Sequence, residues 1–144
     1  MLSELGAFPE NDKSLRFQVK GNNDAQLLLM SQLKGIQPFF IKPYYLIIIG
    51  GWNNSRSTIE TAVDEWVGKN TIAAYEKYGL LNDSEYRDFW VTWEKGNIRV
   101  GTGNITNMDF VLEWKDPCPF AIRNIAIKTV RKATVDWILY SECE

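Results

Sequence analysis

The 144-residue sequence contains no histidine and only two cysteines. Without histidine, no Ser-His-Asp or Cys-His catalytic group can form and no imidazole can hold zinc. Two cysteines are too few to make a structural zinc site alone. Cys118 lies between two prolines, and Cys143 is next to last in the chain. This pair predicts two free thiols, one loop-to-tail disulfide, or a bond through Cys143 that links two subunits.

Long apolar runs and blocks of basic residues are also missing. No run of about 18 apolar residues occurs, so we expect no membrane span. The longest apolar run, residues 44–49, has the length of a buried strand. The 16 basic and 18 acidic residues are dispersed, which disfavours nucleic acid as a partner. Residues 1–13 lack a charged-then-apolar leader pattern, which predicts either a cytosolic chain or a mature secreted form.

Aromatic residues are what the sequence has in quantity, with six Trp, six Tyr and seven Phe. Together with many β-branched residues they favour a sheet protein, and the length predicts one domain over residues 1–144. Phe110, Leu112 and Trp114 alternate, which predicts that they share one strand face. A tight turn at residues 95–97 predicts a β-hairpin. The predicted strands are Ser14–Val19, Ala25–Met30, Tyr44–Ile49, Asp88–Glu94, Ile98–Val100, Phe110–Trp114, Ile122–Val130 and Thr134–Tyr140.

The segment between residues 56 and 78 carries two conflicting signals. Ser57 and Glu60 match a helix capping box, and apolar residues then recur at helical spacing. Residues 71–78 could extend that helix. Alternation of polar and apolar residues from Arg56 to Ala62 fits a strand equally well.

Four segments carry a resemblance to a known family. They are residues 45–59 (YLIIIGGWNNSRSTI), 89–93 (FWVTW), 96–101 (GNIRVG) and 110–117 (FVLEWKDP). Together and in this order they resemble the farnesoic acid O-methyltransferase domain family, over roughly residues 15–140. The resemblance implies an all-β fold, an antiparallel jelly-roll-like β-sandwich, and it decides for a strand at Arg56–Ala62. Glu60 stands where the family usually has Arg, so any role of that Arg does not carry over.

Methyl transfer on a doubly wound fold needs a glycine-rich turn between a strand and a helix. Gly50–Gly51 and Gly101–Gly103 follow strands, but no helical segment that would complete a β-α-β unit follows either. We therefore predict turn glycines and a protein that is not an enzyme. Paired carboxylates for glycoside hydrolysis are the alternative. The candidates are Glu60, Asp64, Glu65, Asp88 and Glu113.

The resemblance suits an extracellular binding module, and the loops hold the parts of a sugar site. An aromatic ring can cover the apolar face of a sugar, while Asn and Asp side chains hold its hydroxyl groups. Turn formation is the alternative role of such residues. The predicted carbohydrate-binding residues are Trp52, Asn53, Asn54, Asn104, Asn107 and Asp109.

Calcium can coordinate sugar hydroxyls together with Asp and Asn oxygens. The predicted calcium ligands are Asp83, Asn107 and Asp109. Asn53, Asn82 and Asn104 each begin an N-x-Ser/Thr sequon, so in a secreted protein they could carry glycans instead.

The sequence thus predicts a secreted, lectin-like module that binds glycans with terminal sugars of galactose type. Several binding sites raise avidity, so a homodimer, linked through Cys143 or an edge strand, is expected. The alternatives are a protein-interaction module, which would expose an apolar patch, and a terpenoid-acid binder or methyltransferase, which would enclose a deep apolar pocket.

Overall fold

The computed structural model describes residues 2–7, 13–31, 43–62, 70–130 and 133–140. Nearly all secondary structure in these ranges is β-strand. The exceptions are a left-handed turn at Gly51–Asn54 and one 3₁₀ turn at Glu94–Gly96. The strands are β1 (Leu2–Ala7), β2 (Ser14–Gly21), β3 (Ala25–Met30), β4 (Tyr44–Gly50), β5 (Arg56–Ala62), β6 (Asn70–Tyr75), β7 (Arg87–Thr92), β8 (Asn97–Thr102), β9 (Phe110–Lys115), β10 (Asn124–Thr129) and β11 (Val135–Tyr140).

The strands form two antiparallel sheets that pack face to face. One sheet has six strands in the order β1-β10-β3-β4-β5-β6, and the other has five in the order β11-β2-β7-β8-β9. Alternate residues of each sheet point into a shared core, as Phe17, Ile47 and Val91 do. The predicted all-β antiparallel sandwich is confirmed.

Strands β3 and β4 are buried on both faces, which explains their continuous apolar sequences. Leu27 and Ile47 belong to the core between the sheets. Their neighbours Leu28 and Leu46 belong to a second buried cluster on the outer face of the six-stranded sheet. A strand with one face in water would alternate apolar and polar residues. β3 and β4 lack this alternation because both of their faces are buried.

The ambiguous middle segment is strand on both sides of residues 63–69. Those seven residues, which include Asp64 and Glu65, lie outside the described residues. β5 pairs with β4 through Ile47 and Ile59, and β6 pairs with β5. The strand chosen for Arg56–Ala62 is confirmed, whereas a helix through residues 71–75 is wrong. Sheet pairing on both edges of β5 outweighs the local capping-box signal.

β9 departs from the predicted alternation at its first residue. The register shifts between Val100 and Gly101 of the neighbouring strand β8. As a result Val111 packs against the core, while Phe110 is 48% exposed. The guanidinium carbon of Arg99 lies 4.5 Å from the Phe110 ring centroid. The prediction that Phe110 shares one strand face with Leu112 and Trp114 is therefore wrong.

Tyr45, in β4 of the six-stranded sheet, contacts β9 of the five-stranded sheet and the segment that follows β9. Its ring stacks on Phe120, with 4.4 Å between the centroids, and contacts Trp114 edge-on at 6.1 Å. Its hydroxyl group donates a hydrogen bond to Asp116 Oδ2. Burial, together with the bond to Asp116 and the charge of that carboxylate, raises the pKa of Tyr45 above its ordinary value.

Trp90 is fully buried although it lies on the outer face of the five-stranded sheet. Its ring covers Gly101, where a Cβ atom would lie 2.1 Å from Trp90 Cε2. Trp90 Nε1 donates a 2.8 Å hydrogen bond to the carbonyl oxygen of Met108. The ring thus anchors residues 103–109, the loop between β8 and β9, over the sheet.

We expect Gly101→Ala to lower the free energy of unfolding by about 1–3 kcal/mol, because the new methyl group overlaps the Trp90 ring. Urea denaturation measures the loss. The double variant Gly101→Ala/Trp90→Leu should lose less stability than the sum of the losses in the two single variants. The smaller leucine side chain leaves room for the new methyl group. Wild-type stability of Gly101→Ala would contradict the packing.

A second prediction concerns alkaline pH. Because the pKa of Tyr45 is raised on folding, the unfolded chain releases this proton first, and stability falls as the pH rises above about 10. The slope is up to about 1.4 kcal/mol per pH unit for this group. In Tyr45→Phe the slope should be shallower, measured by urea denaturation across that range. Between pH 7 and 9 this group adds no slope in either protein, so equal slopes there serve as the internal control. Identical slopes above pH 10 would refute the assignment.

Candidate functional site

Three loops meet at one end of the sandwich and are joined by backbone hydrogen bonds. They are residues 21–24, 50–55 and 76–86. Gly21 N donates to Asn82 O at 2.9 Å, and Asp24 N donates to Gly50 O at 2.9 Å. Gly79 N donates to Asn54 O at 2.8 Å. The three loops therefore form one connected surface, which we call the loop end.

The middle loop has an uncommon backbone. Gly50, Trp52, Asn53 and Asn54 all have left-handed dihedral angles, with φ of 65°, 51°, 59° and 62°. Asn adopts this conformation at modest cost, but a bulky residue such as Trp does so rarely, at a cost of about 1–2 kcal/mol. Backbone strain of this kind is concentrated at functional sites. The strain at Trp52 therefore makes this loop a candidate functional site.

Asn54 holds the strained turn against the neighbouring loop. Its Nδ2 donates to Leu81 O at 2.8 Å, and its Oδ1 accepts from Leu81 N at 3.0 Å. The side-chain amide thus pairs with the backbone as a neighbouring strand would. Gly50 lies directly beneath, where a Cβ atom would be 2.7 Å from both Asn54 Oδ1 and Leu81 Cδ1. Glycine is required there by space as well as by φ.

Trp52 is 49% exposed, on a protein in which most aromatic residues are buried or half-buried. The guanidinium carbon of Arg56 lies 4.8 Å from the Trp52 ring centroid. Arg56 Nε is in turn 2.9 Å from Glu76 Oε1. The cation–π contact supports the ring in place while much of its surface stays accessible.

Beside this turn lies a depression of about 450 Å³ lined by polar side chains. Some of them are already used to shape the turns: Asn82 Oδ1 accepts from Ser84 N and Glu85 N, and Asn22 Oδ1 accepts from Thr134 N. These bonds use the amide oxygen, and none of the contacts in the described ranges uses the Nδ2 donors of Asn22 and Asn82. The lining residues are Gly21, Asn22, Asn23, Asn53, Asn54, Tyr78, Gly79, Leu81, Asn82, Asp83 and Arg87.

Asp24 lies under the turn rather than in the depression. Its Oδ1 would be 3.3 Å from a Cβ atom at Gly51, and its Oδ2 accepts from Asn23 Nδ2 at 3.0 Å. Burial raises the pKa of Asp24, and a hydrogen bond with Gln26 opposes that rise. Asp24 thus supports the loop end from below.

The fourth loop, residues 103–109, lies over the outer face of the five-stranded sheet. Arg16 Nη1 donates to Asn104 O at 3.1 Å, and Trp90 holds Met108 as described above. The tip of the loop, Thr106 and Asn107, lines a second groove of about 860 Å³ on that face. We call it the sheet-face groove.

The structure divides the predicted carbohydrate residues between two places. Trp52, Asn53 and Asn54 lie together at the loop end, and Asn107 lines the sheet-face groove. Asn104 and Asp109 belong to the same loop as Asn107 and line neither depression: the Asn104 carbonyl binds Arg16, and the Asp109 carbonyl accepts from Thr102 N at 3.1 Å.

The predicted calcium ligands are divided in the same way. Asp83 lines the loop-end depression and Asn107 the groove, and the two share no lining residue. Within the described residues, no group of three or more Asp, Glu, Cys or His side chains could hold a metal ion. Asp83 and Asn107 therefore line different depressions, and calcium stays a prediction.

Three contributors to the loop end went unrecognised in the sequence. Tyr78 is 77% exposed at the depression, and Arg56 supports the Trp52 ring. Arg87 Nη1 donates to Gly79 O at 2.5 Å, which fixes the third loop. Gly79 is a residue typical of turns, but only the folded chain brings it and Tyr78 beside residues 53 and 54.

The carboxylates considered for glycoside hydrolysis are not paired across either depression. Glu60 is 8% exposed, Asp88 accepts from Gln18 Nε2, and Glu113 lies 2.9 Å from Arg99 Nε. Asp64 and Glu65 lie outside the described residues. Both glycine pairs occupy turns or strands of antiparallel pairs rather than a strand-to-helix turn.

Comparison of the sequence with known proteins gives matches over most of the chain. The family model described as "Farnesoic acid 0-methyl transferase" matches residues 4–143. A protein of Haliotis asinina named "Uncharacterized protein 5" is 30% identical over 118 residues, which are 79% of this chain and 61% of that protein. A BTB/POZ domain-containing protein of Arabidopsis thaliana is 27% identical over 108 residues, 72% of this chain and 12% of that protein. The chain thus spans less than two thirds of these relatives.

Solved structures with the same fold have little sequence identity to this chain. The carbohydrate binding module CBM66 of Bacillus subtilis superposes with a TM-score of 0.60 and 11% identity, over 94% of this chain and 73% of that one. The exoplasmic/lumenal domain of VIP36, in a Ca²⁺/Man-bound form, gives 0.58 and 12%, over 93% and 68%. A β-1,3-1,4-glucanase from a mouse hindgut metagenome gives 0.54 and 10%, over 95% and 67%.

The two hydrogen bonds between the Asn54 side chain and the Leu81 backbone lead to a prediction about stability. Asn54→Ala removes two hydrogen bonds and places Ala in a left-handed conformation, so we expect a loss of about 2–3 kcal/mol in the free energy of unfolding. Asn54→Gly, which relieves the backbone but not the lost bonds, should lose less. Urea denaturation of the two variants checks this order. Equal stability of Asn54→Ala and the wild type would count against a stabilising role for these two hydrogen bonds.

Proposed function

Since the chain belongs to the farnesoic acid O-methyl transferase family and has a sandwich fold shared with carbohydrate-binding modules and lectins, we propose that it binds glycans at the loop end. One observation carries the proposal: a strained left-handed turn leaves Trp52 exposed, directly before Asn53 and Asn54, which line the depression. A structural turn alone would use Gly or Asn at position 52.

The chemistry of the loop end suits a sugar better than an apolar ligand. The Trp52 ring offers a flat apolar surface for the C–H face of a pyranose. Asn53 and Asp83 are exposed at the depression, and the Asn22 and Asn82 amides supply donors for hydroxyl groups. A terpenoid acid would need an enclosed apolar pocket, whereas this depression is open and polar. The proposed binding residues are Trp52, Asn53 and Asn54, with Asn54 acting through the position of the turn.

The proposal assigns binding rather than methyl transfer to the chain. Gly50 and Gly51 form part of a left-handed turn that leads into an antiparallel strand. Gly101 is packed under Trp90 and cannot approach a cofactor. Neither turn provides the strand-to-helix geometry that holds a nucleotide-like cofactor in a doubly wound fold.

A secreted location agrees with this proposal and with the sequons. Asn53 and Asn104 are exposed, so both are accessible to a glycosyl transferase in a secretory compartment. A glycan on Asn53 would itself fill the depression. Binding tests should therefore use unglycosylated protein, with the glycosylated form as a comparison. Within the described residues, no helix is long and apolar enough to cross a membrane. The homodimer, with Cys143 outside the described residues, stays part of the proposal.

A second candidate function has an observation of its own. Ile105 is 62% exposed and Met108 53% exposed on the loop over the five-stranded sheet. Exposed apolar residues on one loop favour contact with a protein partner. A folded protein that binds no glycan would direct attention to this loop.

We expect Trp52→Ala to weaken glycan binding by about tenfold or more, because a stacked aromatic ring is commonly worth more than 1.4 kcal/mol at a binding site. A glycan array, run with calcium and with EDTA, identifies the sugar, and titration calorimetry measures the loss. Trp52→Tyr should keep part of the affinity.

Tyr140→Ala is the matched control, since Tyr140 is also an exposed aromatic residue beside an arginine but lies on β11. It should bind like the wild type. Binding lost in EDTA would support calcium at the site, and binding that survives EDTA would remove calcium from the proposal. A folded wild type that binds no sugar in either buffer would sink the proposal.

A further inference from the structure

The sheet-face groove differs from the loop end in position, size and charge. It runs over the outer face of the five-stranded sheet between the loop 103–109 and the 3₁₀ turn at Glu94–Gly96. Its volume of about 860 Å³ compares with about 450 Å³ for the loop-end depression. We propose that this groove is a second binding site, which takes an acidic oligosaccharide bearing sulfate or carboxylate groups.

Basic side chains outnumber acidic ones along the groove. Lys13, Lys95, Lys115 and Arg99 line the groove, against Glu94 and Asp116. Asp116 is already engaged, since its carboxylate accepts from the Tyr45 hydroxyl and from Cys118 N. The groove is therefore locally basic on a chain whose net charge is −2.

The lysines of the groove are free to bind a ligand. Arg99 is paired with Glu113, at 2.9 Å between Nε and Oε2. By contrast Lys13, Lys95 and Lys115 are exposed, and no salt bridge within the described ranges includes any of the three. A cluster of unpaired cations in a concave surface raises the local concentration of anions.

Uncharged polar groups between the lysines favour a saccharide over another polyanion. Ser14 and Thr92 present hydroxyl groups from two adjacent strands, and Thr106 and Asn107 face them from the loop. Asn97 adds a side-chain amide to this polar lining. The choice of a saccharide rests on the proposed function, whereas the site itself rests on the groove.

The loop that forms one wall of the groove is fixed rather than loose. Its carbonyl groups at Asn104 and Met108 are held by Arg16 and Trp90, two side chains of the sheet beneath it. The groove thus exists before a ligand arrives, so little conformational entropy is lost on binding.

The test compares three ligands on the same protein. They are a sulfated oligosaccharide, its desulfated counterpart of equal length, and a single-stranded oligonucleotide with the same number of charges. The groove variant is Lys13→Gln/Lys95→Asn/Lys115→Gln, where Asn suits the φ of 52° at position 95. Lys20→Ala/Lys77→Ala removes lysines elsewhere and is the charge control.

We expect the wild type to bind the sulfated sugar more tightly than the other two ligands, with affinity that falls as salt is added. Each exposed ion pair is worth about two- to fivefold, so the groove variant should lose roughly tenfold or more in affinity. The charge control should change little. Trp52→Ala should leave this affinity unchanged while it weakens the binding of neutral glycans.

Equal affinity for the sulfated and desulfated sugars, or wild-type affinity in the groove variant, would overturn the groove site. An oligonucleotide that binds as tightly would overturn the saccharide assignment. Failure of the loop-end proposal has a different signature, because it removes only the Trp52-dependent binding of neutral glycans. The same unfolding midpoint in all variants would show that each is folded.

Discussion

The burial of β3 and β4 on both faces is the constraint on which the rest of the structure depends. Leu27 and Ile47 fill the core between the sheets, while Leu28 and Leu46 are buried on the opposite face. With both faces withdrawn from water, β3 and β4 offer little surface to a polar ligand. The two proposed sites lie elsewhere, at the loop end and on the outer face of the five-stranded sheet.

The two sites are built by different means. At the loop end, backbone strain, a side-chain amide and a cation–π contact hold one exposed ring beside a small depression. On the sheet face, regular strands supply evenly spaced side chains, while the loop 103–109 and the 3₁₀ turn at Glu94–Gly96 form irregular walls. The depression at the loop end is about half the volume of the groove, at about 450 Å³ against about 860 Å³.

Much of the fold could be predicted from local sequence, because alternation and turn residues report directly on strand faces and strand ends. Ala25–Met30 and Arg56–Ala62 have the predicted bounds. β1 was missed, since Leu2–Ala7 has no alternating apolar pattern and contains Gly6. Phe110 was placed on the wrong face because a register shift in the neighbouring strand cannot be seen in the sequence of β9 alone.

The candidate site could be predicted only in pieces. The turn-forming composition of residues 52–55 marked the loop, and an Asn-rich loop elsewhere had the same composition. Which of these loops meet depends on strand order, so Asp83 joined Asn53 while Asn107 did not. The groove lysines are scattered at positions 13, 95 and 115, and no local pattern connects them.

The amide pairing of Asn54 with Leu81 has a consequence for how such a protein can diversify. The third loop is fastened at residues 79 and 81 by contacts with residue 54, whatever lies between β6 and that point. Tyr78 stands just before the fastened segment and makes a large part of the exposed rim. Residues 77 and 78 can therefore change in number or composition while the anchor and the Arg56–Glu76 ion pair are kept. Ligand preference can in this way drift through insertions and deletions, without a new fold and without loss of the existing turn.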